Sequence, residues 1–188
     1  MTEQNKVRGL VITGLMGAIA VVLGWTHWGF IPWFGGVALT IMHVPAVIAA
    51  VIVGPVSGLA VGLIFGVFSM VQAAVAPTGP ADVWFTNPLL SVLPRLFIGP
   101  AAWLVWQLLR RWEPLALLAA GAVGSLTNTV LVLGMIGLLG YLPWAPLGGI
   151  VVVNGLPEAL VSALITAAVG AAYWHIPIGK KQGADLSE

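Results

Sequence analysis

Long apolar stretches separated by short turns dominate this chain of 188 residues and leave it few possible folds. Sixty per cent of the residues are hydrophobic, only 7% are charged, and the mean hydropathy is +1.05. A soluble domain is about a quarter charged, and about 20 apolar residues suffice for one helix to cross a bilayer. The sequence therefore predicts an all-α membrane protein, a bundle of six transmembrane helices in one domain.

Six apolar segments predict the six helices. They are Val7–Trp25, Val37–Val53, Pro55–Val75, Asn87–Arg111, Pro114–Gly140 and Gly148–Tyr173. Gly54-Pro55 predicts a tight turn between the second and third, since Gly suits the end of a helix and Pro the start of the next. The first segment resembles a signal peptide, but its small residues lie inside the apolar run, so we expect a retained helix.

The basic residues predict how the bundle is oriented. Six of the seven flank the ends of the first, fourth and sixth helices: Lys6, Arg8, Arg110, Arg111, Lys180 and Lys181. The loops that would face the other side carry no Lys or Arg. Because Lys and Arg accumulate in cytoplasmic loops, we expect both termini in the cytoplasm of a cell-membrane protein. The predicted domains are a transmembrane substrate-binding domain over residues 1–176 and a cytoplasmic tail over 177–188.

The seventh basic residue, Arg95, lies inside the fourth helix, where a cation costs roughly 2.5 kcal/mol or more unless it is paired. With a helix rise of about 1.5 Å per residue, polar residues of five helices fall in the same outer layer. These are His43, Gln72, Asn87, Arg95, Asn128, Asn154 and Glu158. Aromatic outward loops that include Trp33 and Trp84 lie above the layer. We expect an outward-facing pocket for a polar small molecule.

Each of these residues also has a structural interpretation. Arg95 and Glu158 could neutralise each other, and Asn128 and Asn154 could hydrogen-bond between helices. His43 fits an interhelical role equally well. The Trp residues, Trp33 and Trp84 among them, could form an interfacial aromatic belt.

The chain lacks the residues that other functions need. It has no Cys, no metal-binding His-Glu-x-x-His, no Gly-x-Ser-x-Gly nucleophile and no phosphate-binding loop. We expect neither an enzyme nor a bound cofactor or metal, and the net charge of +1 indicates no nucleic-acid partner. The apolar inner halves of the helices disfavour a self-sufficient secondary transporter, which stays the alternative.

Small residues recur at four-residue spacing on two helices. Gly58-x-x-x-Gly62-x-x-x-Gly66 on the third helix favours close packing inside the bundle. Gly14-x-x-x-Ala18 on the first helix fits either internal packing or docking of another chain.

Several motifs resemble one family over nearly the whole length. They are Met42-His43-Val44-Pro45, Gly54-Pro55-x-x-Gly58, Asn87-Pro88-Leu89-x-Ser91-Val92-Leu93-Pro94-Arg95, Asn128-Thr129-Val130-Leu131-Val132-Leu133-Gly134 and Asn154-Gly155-Leu156-Pro157-Glu158. The chain is similar to the substrate-binding S components of energy-coupling factor (ECF) vitamin transporters, in particular to the subgroup that includes the pantothenate-type S components.

The resemblance implies a subunit that takes a vitamin from outside and delivers it through a transmembrane coupling protein carried by two ATPase subunits. Pantothenate is the first choice of vitamin; riboflavin, folate, cobalamin and pyridoxine-type vitamins are the alternatives. The family docks through an Ala-x-x-x-Ala motif on helix 1, and the matching positions here read Gly14-x-x-x-Ala18-x-x-x-Val22. Gly14 and Ala18 are therefore the expected docking residues.

Overall fold

A computed structural model describes residues 3–32, 38–77 and 79–175, which form helices joined by short turns. The elements are α1 (Glu3–Trp25), β1 (Phe30–Pro32), β2 (Ala38–Thr40), α2 (Val44–Ile52), α3 (Pro55–Val75), a 3₁₀ helix (Asp82–Thr86), α4 (Pro88–Ser91), α5 (Leu93–Leu109), α6 (Glu113–Leu138), α7 (Trp144–Ile150), a π-helical turn (Val151–Gly155) and α8 (Leu156–His175). Five helical stretches of the described chain are long and apolar enough to cross a membrane. The predicted membrane-protein class is confirmed.

The second predicted helix, Val37–Val53, is wrong over its first half. Helix α2 begins only at Val44, because Pro45 has no N–H to donate and is tolerated in the first turn of a helix but not in its interior. Ala38–Thr40 forms strand β2, which pairs antiparallel with β1 in a two-stranded hairpin, and residues 41–43 form the turn into α2. With nine residues at about 1.5 Å each, α2 is too short to span a bilayer alone.

Helix α2 is nevertheless the centre of the bundle. Eight of its nine residues are buried, as expected for a helix that is apolar on every side. Its neighbours are α1, α3, α5, α6 and α8. The turn to α3 follows the predicted Gly54-Pro55 pair: Gly54 has φ +140°, a conformation that a side chain disfavours, and Pro55 starts α3.

Proline also breaks the fourth and sixth predicted helices. Pro94 has no N–H to donate to the carbonyl of Leu90, four residues earlier. The helix is interrupted at Val92, between α4 and α5. Pro157 likewise follows the π-helical turn Val151–Gly155. Wide turns of this kind occur mostly at functional sites. Here both interruptions lie next to a charged residue, Arg95 or Glu158.

The glycine stripe on α3 packs inside the bundle, as predicted. A Cβ added to Gly58 would lie 2.8 Å from the Cα of Gly99, and one added to Gly62 would lie 2.2 Å from the carbonyl oxygen of Arg95. A Cβ on Gly66 would lie 2.8 Å from the carbonyl oxygen of Ser91. The backbones of α3 and α5 therefore approach as closely as small residues allow.

The ends of α1, α5 and α8 meet at one end of the bundle. The guanidinium of Arg8 donates to the Tyr173 hydroxyl and lies 5.3 Å from the centre of its ring. Trp106 of α5 stacks on Trp174 of α8 with ring centroids 4.8 Å apart. The hairpin of β1 and β2 lies at the opposite end.

Candidate functional site

A cavity of about 320 Å³ opens between α3, α5, the 3₁₀ helix and the hairpin. This volume is at the lower end of the range of small-molecule sites, roughly 300–1,000 Å³. Its lining residues are His27, Phe30, Thr40, Met42, Phe65, Ser69, Gln72, Ala73, Ala76, Asp82, Phe85 and Arg95. Two predicted site residues, Gln72 and Arg95, are among them.

Arg95 supplies the positive charge of the cavity. Its side chain is 5% exposed, and one guanidinium N–H donates to the carbonyl oxygen of Leu90. That carbonyl is available because Pro94 has no N–H for it. The guanidinium also lies 5.3 Å from the ring centroid of Phe65 and 5.1 Å from that of Phe85, within the range of cation–π attraction. The arginine is thus held in place by one carbonyl and two ring faces.

The charge of Arg95 is not neutralised by a carboxylate among the described residues. Arg95 and Glu158 form no ion pair, and the Nε of Arg95 has no hydrogen-bond partner. A buried cation in this condition is costly. The arrangement suits an anionic group that enters the cavity, because a guanidinium can bind a carboxylate through two parallel hydrogen bonds.

One face of α3 forms a long wall of the cavity. Phe65, Ser69, Gln72, Ala73 and Ala76 recur at the spacing of a helical face. The Gln72 side-chain amide donates to the Gly24 carbonyl at the end of α1, over 3.3 Å. This bond ties α1 to the wall and leaves the Gln72 side-chain carbonyl as an acceptor.

The 3₁₀ helix covers the cavity from another side with Asp82 and Phe85. The backbone N–H of Gly79 donates to the Asp82 carboxylate at 3.1 Å, which closes the turn on itself. The Ser91 hydroxyl donates to the Phe85 carbonyl. Asp82 is the one carboxylate that lines this cavity within the described chain.

Glu158 lies behind the hairpin, outside the cavity lining. It is 5% exposed. One carboxylate oxygen accepts from the backbone N–H of Thr40 at 2.7 Å, and the other accepts from the Thr129 hydroxyl at 3.3 Å. Its contact with the site therefore runs through the backbone of a lining residue.

His43 and Asn128 form a buried polar layer next to the cavity. His43 is fully buried and neither ring nitrogen has a hydrogen-bond partner, and the side-chain oxygen of Asn128 has none either. A Cβ added to Gly124 would contact Val47. Helices α2 and α6 therefore pack closely one helical turn away from these two residues. Neither residue is part of the cavity lining. His43 is joined to it through its neighbour Met42.

The remaining predicted site residues lie elsewhere. Trp84 stacks on Tyr141 with ring centroids 5.3 Å apart, and the side-chain oxygen of Asn87 caps α4 by accepting from the Leu89 N–H at 3.0 Å. Asn154 lies in the π-helical turn. Trp33 is outside the described residues. Of the described residues among these, Trp84, Asn87 and Asn154 do not line the cavity.

The two predicted docking residues lie on the outer face of α1. Gly14 and Ala18 are exposed, and a Cβ on Gly14 would meet nothing within 4 Å. The inner face of the same helix buries Gly17, Ala20 and Gly24. Gly14 and Ala18 therefore do not pack inside the bundle.

Sequence reasoning missed most of the apolar and hydroxyl lining. Phe65, Ser69 and Gln72 share one face of a helix, so the spacing of Ser69 and Phe65 from Gln72 could have indicated them. Asp82 could have been noticed as the sole acid of its loop. Thr40 and Met42 could not, since they were assigned to a helix that is not there.

A second, more open depression of about 720 Å³ lies between α5 and α6. It is lined by Phe97, Pro100, Ala101, Leu104, Val123, Leu126, Thr127, Val130 and Leu131. It has no charged residue, and its composition is that of a surface in contact with lipid chains.

Similarity to known proteins covers nearly the whole chain. The family model described as "ECF transporter, substrate-specific component" matches residues 8–170. The pantothenic acid transporter PanT of Lactococcus lactis subsp. cremoris (strain MG1363) is 28% identical, in a match that covers 89% of this chain and 94% of the relative. The pantothenate transporter PanT of Leuconostoc mesenteroides subsp. mesenteroides is 28% identical, in a match that covers 96% of this chain and 98% of the relative.

Proposed function

The chain belongs to the family of ECF transporter substrate-specific components, and we propose that it captures pantothenate from outside the cell in the cavity that contains Arg95. As a member of this family it is a membrane-embedded, substrate-specific vitamin transporter subunit and not an enzyme. The choice of pantothenate is supported by both relatives named above, which are pantothenate transporters.

Arg95 is the observation that carries the proposal. It is a buried cation with no carboxylate partner in the described chain, and it lines a cavity of about 320 Å³. Pantothenate has a carboxylate at one end, and an amide and hydroxyl groups along the rest. The carboxylate would bind the guanidinium, while Gln72, Ser69 and Asp82 offer hydrogen-bond partners for the amide and hydroxyls. The rings of Phe65 and Phe85 would exclude water from the charged pair.

His43, Asn128 and Glu158 have supporting roles in this proposal. His43 and Asn128 form the layer next to the cavity, with Glu158 behind the hairpin. Asn87, Asn154 and Trp84 lie outside the cavity lining among the described residues, and Trp33 stays a predicted contact of the ligand. Riboflavin, folate and cobalamin are larger than pantothenate, and both relatives named above are pantothenate transporters.

The proposed orientation places both termini and the turn at Arg110 in the cytoplasm. The contact of Arg8 with Tyr173 joins the start of α1 to the end of α8 and so supports both ends lying on the same side. The Lys and Arg residues at these ends favour the cytoplasmic side. The cavity lies towards the opposite end, beside the hairpin. The transmembrane domain would cover residues 1–176 and a cytoplasmic tail 177–188, with α2 and the hairpin together occupying the place of the second predicted span.

The proposed partners are a transmembrane coupling protein and the two ATPase subunits that it carries. Gly14 and Ala18 would form the docking face, since both are exposed on the outer side of α1. A helix face of small residues lets another helix approach closely within the bilayer. The same face would contact lipid when the subunit is alone.

Titration with a matched pair of ligands tests the proposal. Pantothenol is pantothenate with an alcohol in place of the carboxylate, so it lacks only the group that Arg95 would bind. We expect the purified protein to prefer pantothenate roughly 10- to 100-fold, since a charge-assisted hydrogen bond contributes about 1.5–3 kcal/mol. Arg95→Gln should abolish the preference and bind both compounds weakly, as measured by isothermal titration calorimetry.

Arg110→Gln is the matched control, because it removes an exposed arginine at the end of α5. It should retain the preference for pantothenate. Equal affinity of the wild-type protein for the two compounds would reject the pairing of Arg95 with the carboxylate. Absence of pantothenate binding would reject this vitamin, and binding of riboflavin, folate, cobalamin or pyridoxine in the same assay would replace it.

A further inference from the structure

The hairpin of β1 and β2 forms a wall of the cavity, and we call it the hairpin wall. It contributes Phe30 and Thr40, which face each other across the two strands, and Met42 lines the cavity two residues after Thr40. Each strand has three residues. A two-stranded hairpin is at best marginally stable by itself, so the position of the wall depends on what anchors it to the helices.

The backbone geometry of β2 directs one amide away from its partner strand. The N–H of Ile41 donates to the Gly29 carbonyl on the β1 side, at 2.9 Å. Successive amides of a strand point in opposite directions, so the N–H of Thr40 points towards α8. There it meets the Glu158 carboxylate at 2.7 Å.

Glu158 is itself held firmly in this position. The carboxylate is 5% exposed, and its second oxygen accepts from the Thr129 hydroxyl of α6. Leu39, the residue before Thr40, is 2% exposed and packs into the bundle. Among the described residues of the hairpin wall, Thr40 is therefore joined to α8 by a charge-assisted hydrogen bond, and Leu39 is buried beside it.

We propose that Glu158 is a positioning residue for the ligand site: it holds the hairpin wall against α8 through the Thr40 N–H and thereby slows the escape of bound ligand. The inference rests on the proposed function for the identity of the ligand. Among the described lining residues, the one to which Glu158 hydrogen-bonds is Thr40, through this backbone amide. Its role therefore needs an acceptor oxygen and not a negative charge.

Two substitutions of similar size separate these requirements. Glu158→Gln keeps an oxygen that can accept from the Thr40 N–H, and its amide can donate to the Thr129 hydroxyl. Glu158→Met fills the same space without an acceptor. We expect the dissociation rate of pantothenate, measured by stopped-flow competition, to rise roughly tenfold or more in Glu158→Met and to stay within about threefold of wild type in Glu158→Gln.

Hydrogen–deuterium exchange of the peptide that contains residues 38–42 provides a second measurement, made on ligand-free protein. Exchange of this peptide should accelerate in Glu158→Met and remain near wild type in Glu158→Gln. Ser162→Ala is the matched control, because Ser162 is buried one turn further along α8 and donates to the Gly121 carbonyl at 2.9 Å, away from the cavity. It should change neither the dissociation rate nor exchange at 38–42.

The outcomes separate the inference from the proposed function. If wild-type protein does not bind pantothenate, the proposed ligand is wrong, and exchange at 38–42 alone decides the role of Glu158. If Glu158→Gln behaves like Glu158→Met, or if Glu158→Met changes neither measurement, the inference is overturned. If Glu158→Met does not fold, Thr129→Val replaces it: this nearly isosteric change frees one carboxylate oxygen and should accelerate exchange at 38–42, and unchanged exchange would overturn the inference.

Discussion

Replacement of Gly62 by Ala should damage both the stability of the bundle and the ligand site. The added Cβ would lie 2.2 Å from the carbonyl oxygen of Arg95 and 3.0 Å from its carbonyl carbon. Ordinary van der Waals contact requires α5 to retreat by about 1 Å, and the obstacle is backbone, which cannot rotate away. The residue that must move is the one that carries the positive charge of the cavity.

The expected magnitude follows from two opposing terms. Overpacking of a tight interior costs about 1–3 kcal/mol, while Ala is about 1 kcal/mol better than Gly in a helix. We expect a net loss of up to about 2 kcal/mol in the free energy of unfolding. Pantothenate affinity should fall roughly 10- to 100-fold, because a displaced guanidinium no longer matches the carboxylate.

Thermal unfolding in detergent and calorimetric titration measure the two effects. Gly134→Ala is the matched control: it makes the same change inside α6, where a Cβ would meet nothing within 4 Å. It should lower neither stability nor affinity. A Gly62→Ala protein that unfolds at the wild-type temperature and binds pantothenate within about twofold of wild type would refute the close approach of α3 to Arg95.

Two further predictions concern orientation and docking. Single Cys residues introduced at Thr78 and at Gln182 into this Cys-free chain should differ in labelling: an impermeant thiol reagent should reach the first in intact cells and not the second, and the reverse result would invert the topology. Gly14→Leu and Ala18→Leu should each abolish uptake by the assembled transporter, because a bulky side chain keeps a partner helix at a distance. Titration of the isolated subunit should show unchanged ligand binding, and equal loss of binding would place these residues in folding instead of docking.

The sequence alone was sufficient for the membrane class, for most helices and for the position of Arg95 inside the bundle. The length of the apolar segments and the scarcity of charged residues can be read directly from the sequence. Within a bilayer, helices and closed barrels are the only structures that can span it. The bounds of α3 were predicted to the residue, since Gly54-Pro55 marks its start and the Pro-rich loop its end. Motif resemblance also identified the family that the comparisons confirm.

The sequence was misleading where proline and local pairing compete with an apolar pattern. Residues 38–43 are nearly as apolar as the transmembrane helices. The position of Pro45 is the one feature of the sequence that marks the start of α2. The hairpin wall depends on pairing between residues ten apart, such as Phe30 and Thr40, which hydropathy does not encode. Two lining residues, Thr40 and Met42, were missed for this reason.

Depth along helices placed Arg95 and Glu158 in one layer, but only the tertiary structure decided that they do not pair. The rotation of a helix about its axis depends on packing against its neighbours, and Pro94 and Pro157 each change the local path. Arg95 consequently turns to the Leu90 carbonyl and the cavity, while Glu158 turns to Thr40 and Thr129. Sequence determines which charges lie within the membrane, because the cost of burying them depends on the residue type and its depth; tertiary packing decides which groups they meet, because that depends on angles and distances between helices.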